Sequence, residues 1–364
     1  MSERRGKLHL PLMVKANLTG TDKGMNYECR VINEIKEIKM NEQHEALKKF
    51  SYQINFALNN YSNHGLLAGN FSNILIGGLG GSGIGGRIVK TIFMDEFPIP
   101  IEVIADYTLP AYVNEKTLVI LGSYSGNTEE TLAMFEEVKK RGSQMLILTG
   151  GGKLGGFAEE LKLKTYFLEP GFQPRMALGF SLTYLVQIFA ELVGKDLSAE
   201  LKTIASYFED CTPYFEDGMH VFEAIKSKSK LKYVVLCDAQ FEGVATRFAQ
   251  QIQENAKHEC FTHVLPEHNH NVIESYYGTL DTVFFFLNSN TNPRVAARFE
   301  FLTGLLEVEN HKIVELGTET FTLASVYETI HRLDWVSLFV ADAHKVDSLN
   351  VPNIMSLKEY LDEV

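Results

Sequence analysis

Residues 117–142 read TLVILGSYSGNTEETLAMFEEVKKRG. An apolar run leads into a loop dense in hydroxyls, and a helical pattern follows at once. Leu132, Phe135 and Val138 recur at the spacing of one helix face. Glu129 and Glu130 open that helix, and Lys139, Lys140 and Arg141 close it, so each sign complements the helix dipole. Gly142 supplies the stop. The helix therefore begins near Asn127 or Thr128, where the first backbone N–H groups have no intrahelical partner. Together with the hydroxyls of Ser123, Ser125 and Thr128 they make a compact anion site. A helix cap needs only one such residue. Three hydroxyls around Gly126 exceed that need.

The same grammar extends in both directions. NILIGGLGGSGIGG (73–86) is a buried strand entering a glycine-rich loop, and RIVKTIFMDE is the helix after it. IEVIADY, QMLILTG and KTYFLEP supply further strands. Val, Ile and Leu strands separated by helices predict a parallel sheet covered on both faces. The order then recurs in KYVVLCDAQFEGVATRFAQQIQENAK and in DTVFFFLNSNTNPRVAARFEFLTGLLEV. The chain thus reads as two copies of one α/β unit, each a parallel five-stranded sheet flanked by helices in the doubly wound, flavodoxin-like manner. At the matching loops the second copy has CDAQFEG (237–243) and NSNTNPR (288–294). Only the first copy keeps the glycines and hydroxyls, so the anionic end of a ligand belongs there. The expected organisation is an N-terminal extension over 1–24, a first domain over 25–200, a second over 201–345, and a C-terminal helix within 346–364 that docks at the site. The stretch 175–199 is apolar nearly all round and is expected to be a buried helix at a domain or subunit contact.

The 364 residues carry a formal net charge of -12. A general nucleic-acid binder needs a basic face, so none is expected. No stretch reaches the roughly 18 apolar residues of a membrane span. Cys29, Cys211, Cys237 and Cys260 form no CxxC pair, which suggests a reducing, cytoplasmic setting. Gly78, Gly80 and Gly83 also fit a dinucleotide fingerprint, with Asp106 as the acidic residue. The hydroxyl cradle on the third strand argues against that reading. His258, Cys260, His263, Glu267, His268 and His270 lie close in sequence, but without the spacing of a helical HxxxH pair or a CxxC unit. No metal site is expected.

GSYSGNTEET after a strand, paired with an upstream GGSG loop, resembles the sugar isomerase (SIS) domain. GLGGSGIGG at 78–86, PRMAL at 174–178, QENAK at 253–257, PEHNHN at 266–271 and LKEYL at 357–361 resemble one branch, the bifunctional phosphoglucose/phosphomannose isomerases. Leu79 and His268 depart from the commoner residues of that branch. The resemblance implies interconversion of fructose 6-phosphate with glucose 6-phosphate and mannose 6-phosphate through a cis-enediol, with no redox cofactor or metal. It implies that the substrate phosphate sits on Ser123, Ser125 and Thr128, beside the backbone of Gly81, Ser82 and Gly83. It implies Glu254 as the base at C2 and His270 as the ring-opening group, contributed to the neighbouring site of a homodimer. It implies Lys358 as a C-terminal lysine that reaches the site. Arg175 follows Pro174 at the start of the buried helix, where a charge needs a partner, and the enediolate or a substrate oxygen is the candidate. The alternatives are another SIS phosphosugar isomerase or deaminase, and a non-catalytic phosphosugar-binding protein.

Overall fold

The computed structural model describes residues 13–15, 40–226, 231–276, 281–309, 311–316, 318 and 320–363. In chain order the elements are β1 (Met13–Lys15), α1 (Glu42–Lys48), α2 (Phe50–Asn60), β2 (Asn73–Gly77), α3 (Gly80–Phe93), β3 (Ile101–Ile104), β4 (Thr117–Ser123), α4 (Glu129–Arg141), β5 (Gln144–Thr149), α5 (Gly152–Glu160) and β6 (Lys164–Phe167). There follow α6 (Leu178–Leu192), α7 (Ser198–Tyr207), α8 (Thr212–Ile225), β7 (Lys232–Asp238), α9 (Glu242–Gln251), β8 (Cys260–Leu265), β9 (Thr282–Leu287), α10 (Pro293–Val308), β10 (Lys312–Glu315), α11 (Leu323–Ala343) and α12 (Pro352–Asp362).

The first sheet runs β3-β2-β4-β5-β6, all parallel. Numbered within the half, that is the flavodoxin-like order 2-1-3-4-5. Its central strands β2, β4 and β5 are buried on both faces, as their apolar runs require. Ile74, Ile76, Leu118 and Ile120 point into the large core, while Leu75, Val119 and Leu121 pack beneath α4 with Met134 and Phe135. Gly142 ends α4 in the left-handed region, with φ at 71°.

The second sheet runs β1-β10-β9-β7-β8. Four of its strands are parallel and repeat the order of the first half. Five parallel strands were expected here, and that expectation is corrected at one edge. The fifth strand is β1, which pairs antiparallel with β10 through Val14 opposite Val314. A strand arriving from the far N-terminus needs no crossover helix, so nothing forces it to run parallel. Of the expected extension 1–24, Met13–Lys15 alone lies among the described residues.

The halves share one core. α6 is buried along almost its whole length and packs on α2 and α3, and its Thr183 hydroxyl lies 3.0 Å from the Tyr327 hydroxyl of α11. α3 and α9 cross so closely that a Cβ on Gly243 would stand 3.0 Å from the Ile88 backbone nitrogen. No helix among the described residues is long and apolar enough to cross a membrane.

His331 lies in the middle of this core, 0% exposed, stacked on Phe50 at 4.7 Å and accepting a hydrogen bond from Trp335 Nε1 at 3.1 Å. Burial pushes its pKa down to about 3 from 6.5. Unfolded, the ring takes up a proton near its ordinary pKa, whereas folded it does not. Its contribution to stability is therefore complete above about pH 6.5 and is lost as pH falls toward the folded value. We expect the melting temperature to fall between pH 6.5 and 4.5, and H331F to flatten that slope. An H331F slope equal to that of the parent would contradict this account.

Candidate functional site

The strand order reverses between β2 and β4, and a crevice opens there at the carboxyl ends of the strands. The two loops singled out in the sequence leave the sheet at this point. In the first, α3 starts at Gly80, with φ at 52°. A Cβ on Gly83 would lie 2.2 Å from the Gly78 carbonyl oxygen, and one on Gly81 2.9 Å from that of Pro174. These glycines allow the turn to fold back on itself. Ser82 Oγ accepts the Tyr124 N–H at 3.0 Å and so ties the first loop to the second.

In the second loop, Ser123 Oγ lies 2.9 Å from Thr128 Oγ1 and accepts the Gly126 N–H at 3.1 Å. Ser125 Oγ accepts the Asn127 N–H at 3.2 Å. Gly126 has φ at 68°, and a Cβ there would overlap the Gly151 carbonyl. Thr128 precedes α4 but makes no side-chain cap bond, so its hydroxyl does not close the helix end. Ser123 is buried and shapes the loop from below, while Ser125 is exposed and Thr128 half-buried.

The matching crevice of the second half is filled from within. Asp238 ends β7, 5% exposed. Its Oδ2 accepts the backbone N–H and hydroxyl of Ser289 at 2.7 and 2.5 Å, and its Oδ1 accepts the Phe241 N–H at 3.2 Å. A carboxylate of the chain thus takes the donors that an anionic ligand would use.

Glu254 lies on a π-helical turn, Ile252–Ala256, which continues α9. Such turns widen the helix and re-aim side chains, often at functional sites. The Glu254 side chain is 30% exposed, and its Oε2 lies 3.5 Å from Arg175 Nη1. Arg175 is itself buried. Nε donates to Asn255 Oδ1 at 2.9 Å, and Nη2 donates to the carbonyls of Ser348 and Leu349 at 2.7 and 2.9 Å. Burial lowers its pKa, while Glu254 and Asp347 oppose that, and a guanidinium remains a cation. Behind it, the Arg175 carbonyl accepts Arg247 Nη2 at 2.8 Å and Gln251 Nε2 at 3.2 Å. Both donors also reach Asp334, Arg247 at 2.7 Å and Gln251 at 3.0 Å. Asn255 Nδ2 donates to Ser337 Oγ at 2.9 Å. The Glu254 carboxylate is therefore held through Arg175 by a buried polar network.

One cleft of about 670 Å³ is lined by Gly80 of the first glycine loop, by Glu254, Lys257 and His258, and by Pro352 and Ile354 at the start of α12. It joins the first half's loop, the second half's carboxylate and the tail. Lys257 Nζ donates to the Glu254 carbonyl at 2.6 Å, and burial followed by the Arg175 charge lowers its pKa. His270 does not line this cleft. It is exposed on the 3-10 turn Glu267–His270. Lys358 is exposed on α12, beyond the residues that touch the cleft. His268 is buried instead, with Nε2 2.7 Å from the Tyr276 hydroxyl, and burial brings its pKa to about 4. Among the described residues no three His, Cys, Asp or Glu side chains gather to hold a metal ion.

Sequence reasoning missed Arg247 and Asp334, although both carry a signal. Each is a charge on an otherwise apolar helix face, which calls for a buried partner.

The SIS domain family matches residues 70–158, and the bacterial phospho-glucose isomerase C-terminal SIS domain family matches residues 221–361. A bifunctional phosphoglucose/phosphomannose isomerase of Caldicellulosiruptor bescii is 33% identical over 313 residues, which cover 82% of this chain and 91% of that one. The chain belongs to the bifunctional phosphoglucose/phosphomannose isomerase family. The Aquifex aeolicus member is 33% identical over 298 residues, covering 80% of this chain and 91% of that one. Among solved structures, the C-terminal domain of glucosamine-fructose-6-phosphate aminotransferase from Francisella tularensis superposes with a TM-score of 0.66 at 14% identity. That match covers 86% of this chain and 99% of that one, and it shows the shared fold.

Removing Asp334 leaves the buried Arg247 unpaired, and breaking such a pair costs about 3–5 kcal/mol. D334A is expected to lose that much in urea unfolding. A loss below about 1 kcal/mol would mean that the Arg247–Asp334 pair does not hold the network behind Glu254.

Proposed function

We propose that the protein is an aldose–ketose isomerase that interconverts fructose 6-phosphate with glucose 6-phosphate and mannose 6-phosphate. One observation carries this reading beyond family membership. Gly80, at the head of the glycine loop of one half, and the Glu254 carboxylate of the other line the same cleft, so a sugar whose phosphate is anchored in the loops beyond Gly80 can present its C1–C2 end to Glu254.

The phosphate rests in the cradle after β4, against Ser125, Thr128 and the free N–H groups of α4, with Ser123 fixing the loop. The backbone of Gly81, Ser82 and Gly83 closes the other side. Glu254 takes the C2 proton and returns it to C1 through a cis-enediol. Arg175 holds the Glu254 carboxylate and supplies positive charge as the enediolate forms. The reaction moves hydrogen within one molecule, so its redox balance needs no cofactor. His270 opens the sugar ring from a neighbouring subunit, a role that suits its exposed position outside its own cleft. Lys358 completes the site when α12 settles over it. Among the described residues the thiols of Cys211, Cys237 and Cys260 are free, which suits a reducing, cytoplasmic setting.

E254Q should lower kcat by about 10²–10⁴-fold while leaving competition by a phosphosugar analogue unchanged. Near-parental turnover would remove Glu254 from the mechanism. Subunit exchange tests the dimer. H270N and E254Q are each expected to be inactive, and their mixture should recover about a quarter of the parental rate, because half the dimers then hold one complete site. No recovery would place His270 within its own subunit or outside the reaction.

A further inference from the structure

The isomerase reading leaves one proton without a carrier. Glu254 moves hydrogen from C2 to C1, but the ketose also differs from the aldose at its oxygens. O2 loses a proton and O1 gains one.

His258 lines the cleft four residues beyond Glu254. Its Nδ1 lies 2.8 Å from the Ala256 carbonyl oxygen. A carbonyl only accepts, so Nδ1 carries the hydrogen, and in the neutral ring Nε2 carries a lone pair. Nε2 has no protein partner among the described residues. The ring is held in place from behind. It stacks on His344 with centroids 3.7 Å apart and 24° between planes, and it meets the edge of Tyr233 at 5.8 Å. His344 Nε2 in turn lies 2.5 Å from the Tyr233 hydroxyl. Purely structural histidines of this chain look different. His268 engages both its nitrogens and is buried, and His331 has no exposure at all. Lys257 is a poorer carrier, since its Nζ is engaged by the Glu254 carbonyl.

We propose that His258 is a further catalytic residue, which passes the hydroxyl proton between O2 and O1 of the enediolate. This rests on the isomerase reading. In the aldose-to-ketose direction Glu254 takes the C2 proton, the C1=C2 bond forms, and the negative charge goes to O1. Nε2 accepts the O2 proton and delivers it to O1, which leaves the charge on O2 and the imidazole neutral again. The C2=O2 bond then forms as C1 takes its proton back from Glu254. Every proton and electron pair is accounted for within the substrate, Glu254 and His258.

The test follows glucose 6-phosphate in D2O. H258N keeps a donor for the Ala256 carbonyl but carries no proton-transfer nitrogen, and H258Q serves as the second variant should H258N fail to fold. An enediolate that cannot pass its proton on returns to the aldose after Glu254 has exchanged with solvent. Fructose 6-phosphate formation should therefore fall by about 10²-fold while deuterium continues to enter C2 of the unconverted aldose. The ratio of exchange to conversion rises. A parallel fall of both, or unchanged conversion, overturns the role of His258. A parent protein that forms no fructose 6-phosphate overturns the isomerase reading itself, and this inference with it.

Discussion

A buried guanidinium must place its N–H donors on acceptors, or the cost of leaving water outweighs what packing returns. Arg175 meets that demand with groups from remote parts of the chain. Its side chain takes Asn255 and Glu254 from the π turn and the carbonyls of Ser348 and Leu349 from the segment before α12. Its own carbonyl takes Arg247 and Gln251, and through them Asp334 of α11. Gln43 of α1 donates to the same Ser348 carbonyl at 2.5 Å. The end of the first half, the Glu254 carboxylate of the second and the root of the tail are thereby fixed relative to one residue. Precise placement of a base matters because a misplacement of even about 1 Å can cost two orders of magnitude in rate.

Around that centre, two sheets that share the order of four parallel strands set two crevices, one in each half. The first stays open because glycines let its turns fold tightly and because Thr128 leaves the end of α4 uncapped. In the second crevice Asp238 takes the donors, but the helix beside it, α9, leads into the π turn that carries Glu254. The division of labour between the halves is thus one of loops on a common scaffold, which is where αβ folds place function.

Much of this could be read from residues alone. The apolar strand runs, the charge polarity of 129–141 and the hydroxyl density of 123–128 are local signals, and local signals fix local structure. The recurrence of strand, loop and helix exposed the duplication. The antiparallel β1 was not legible, because its pairing with β10 joins residues some three hundred positions apart and depends on which sheet edge is vacant. The π turn was not legible either. QENAK has an ordinary helical composition, and the widening follows from Arg175 and Ser337 engaging Asn255 in the folded core. For His268 the departure from an apolar residue was visible, while its pairing with Tyr276 was not.

Asp238 behaves as a resident ligand, and that changes how the two halves respond to their surroundings. Its carboxylate satisfies the Ser289 and Phe241 donors of the second crevice from within the chain. The first crevice keeps its donors unsatisfied by the chain, and under the proposed function a phosphorylated sugar bound there stabilises the folded protein by an amount that grows with the logarithm of its concentration. The same fold, used twice in one chain, therefore gives one crevice whose donors are satisfied by the chain itself and one whose donors face solvent.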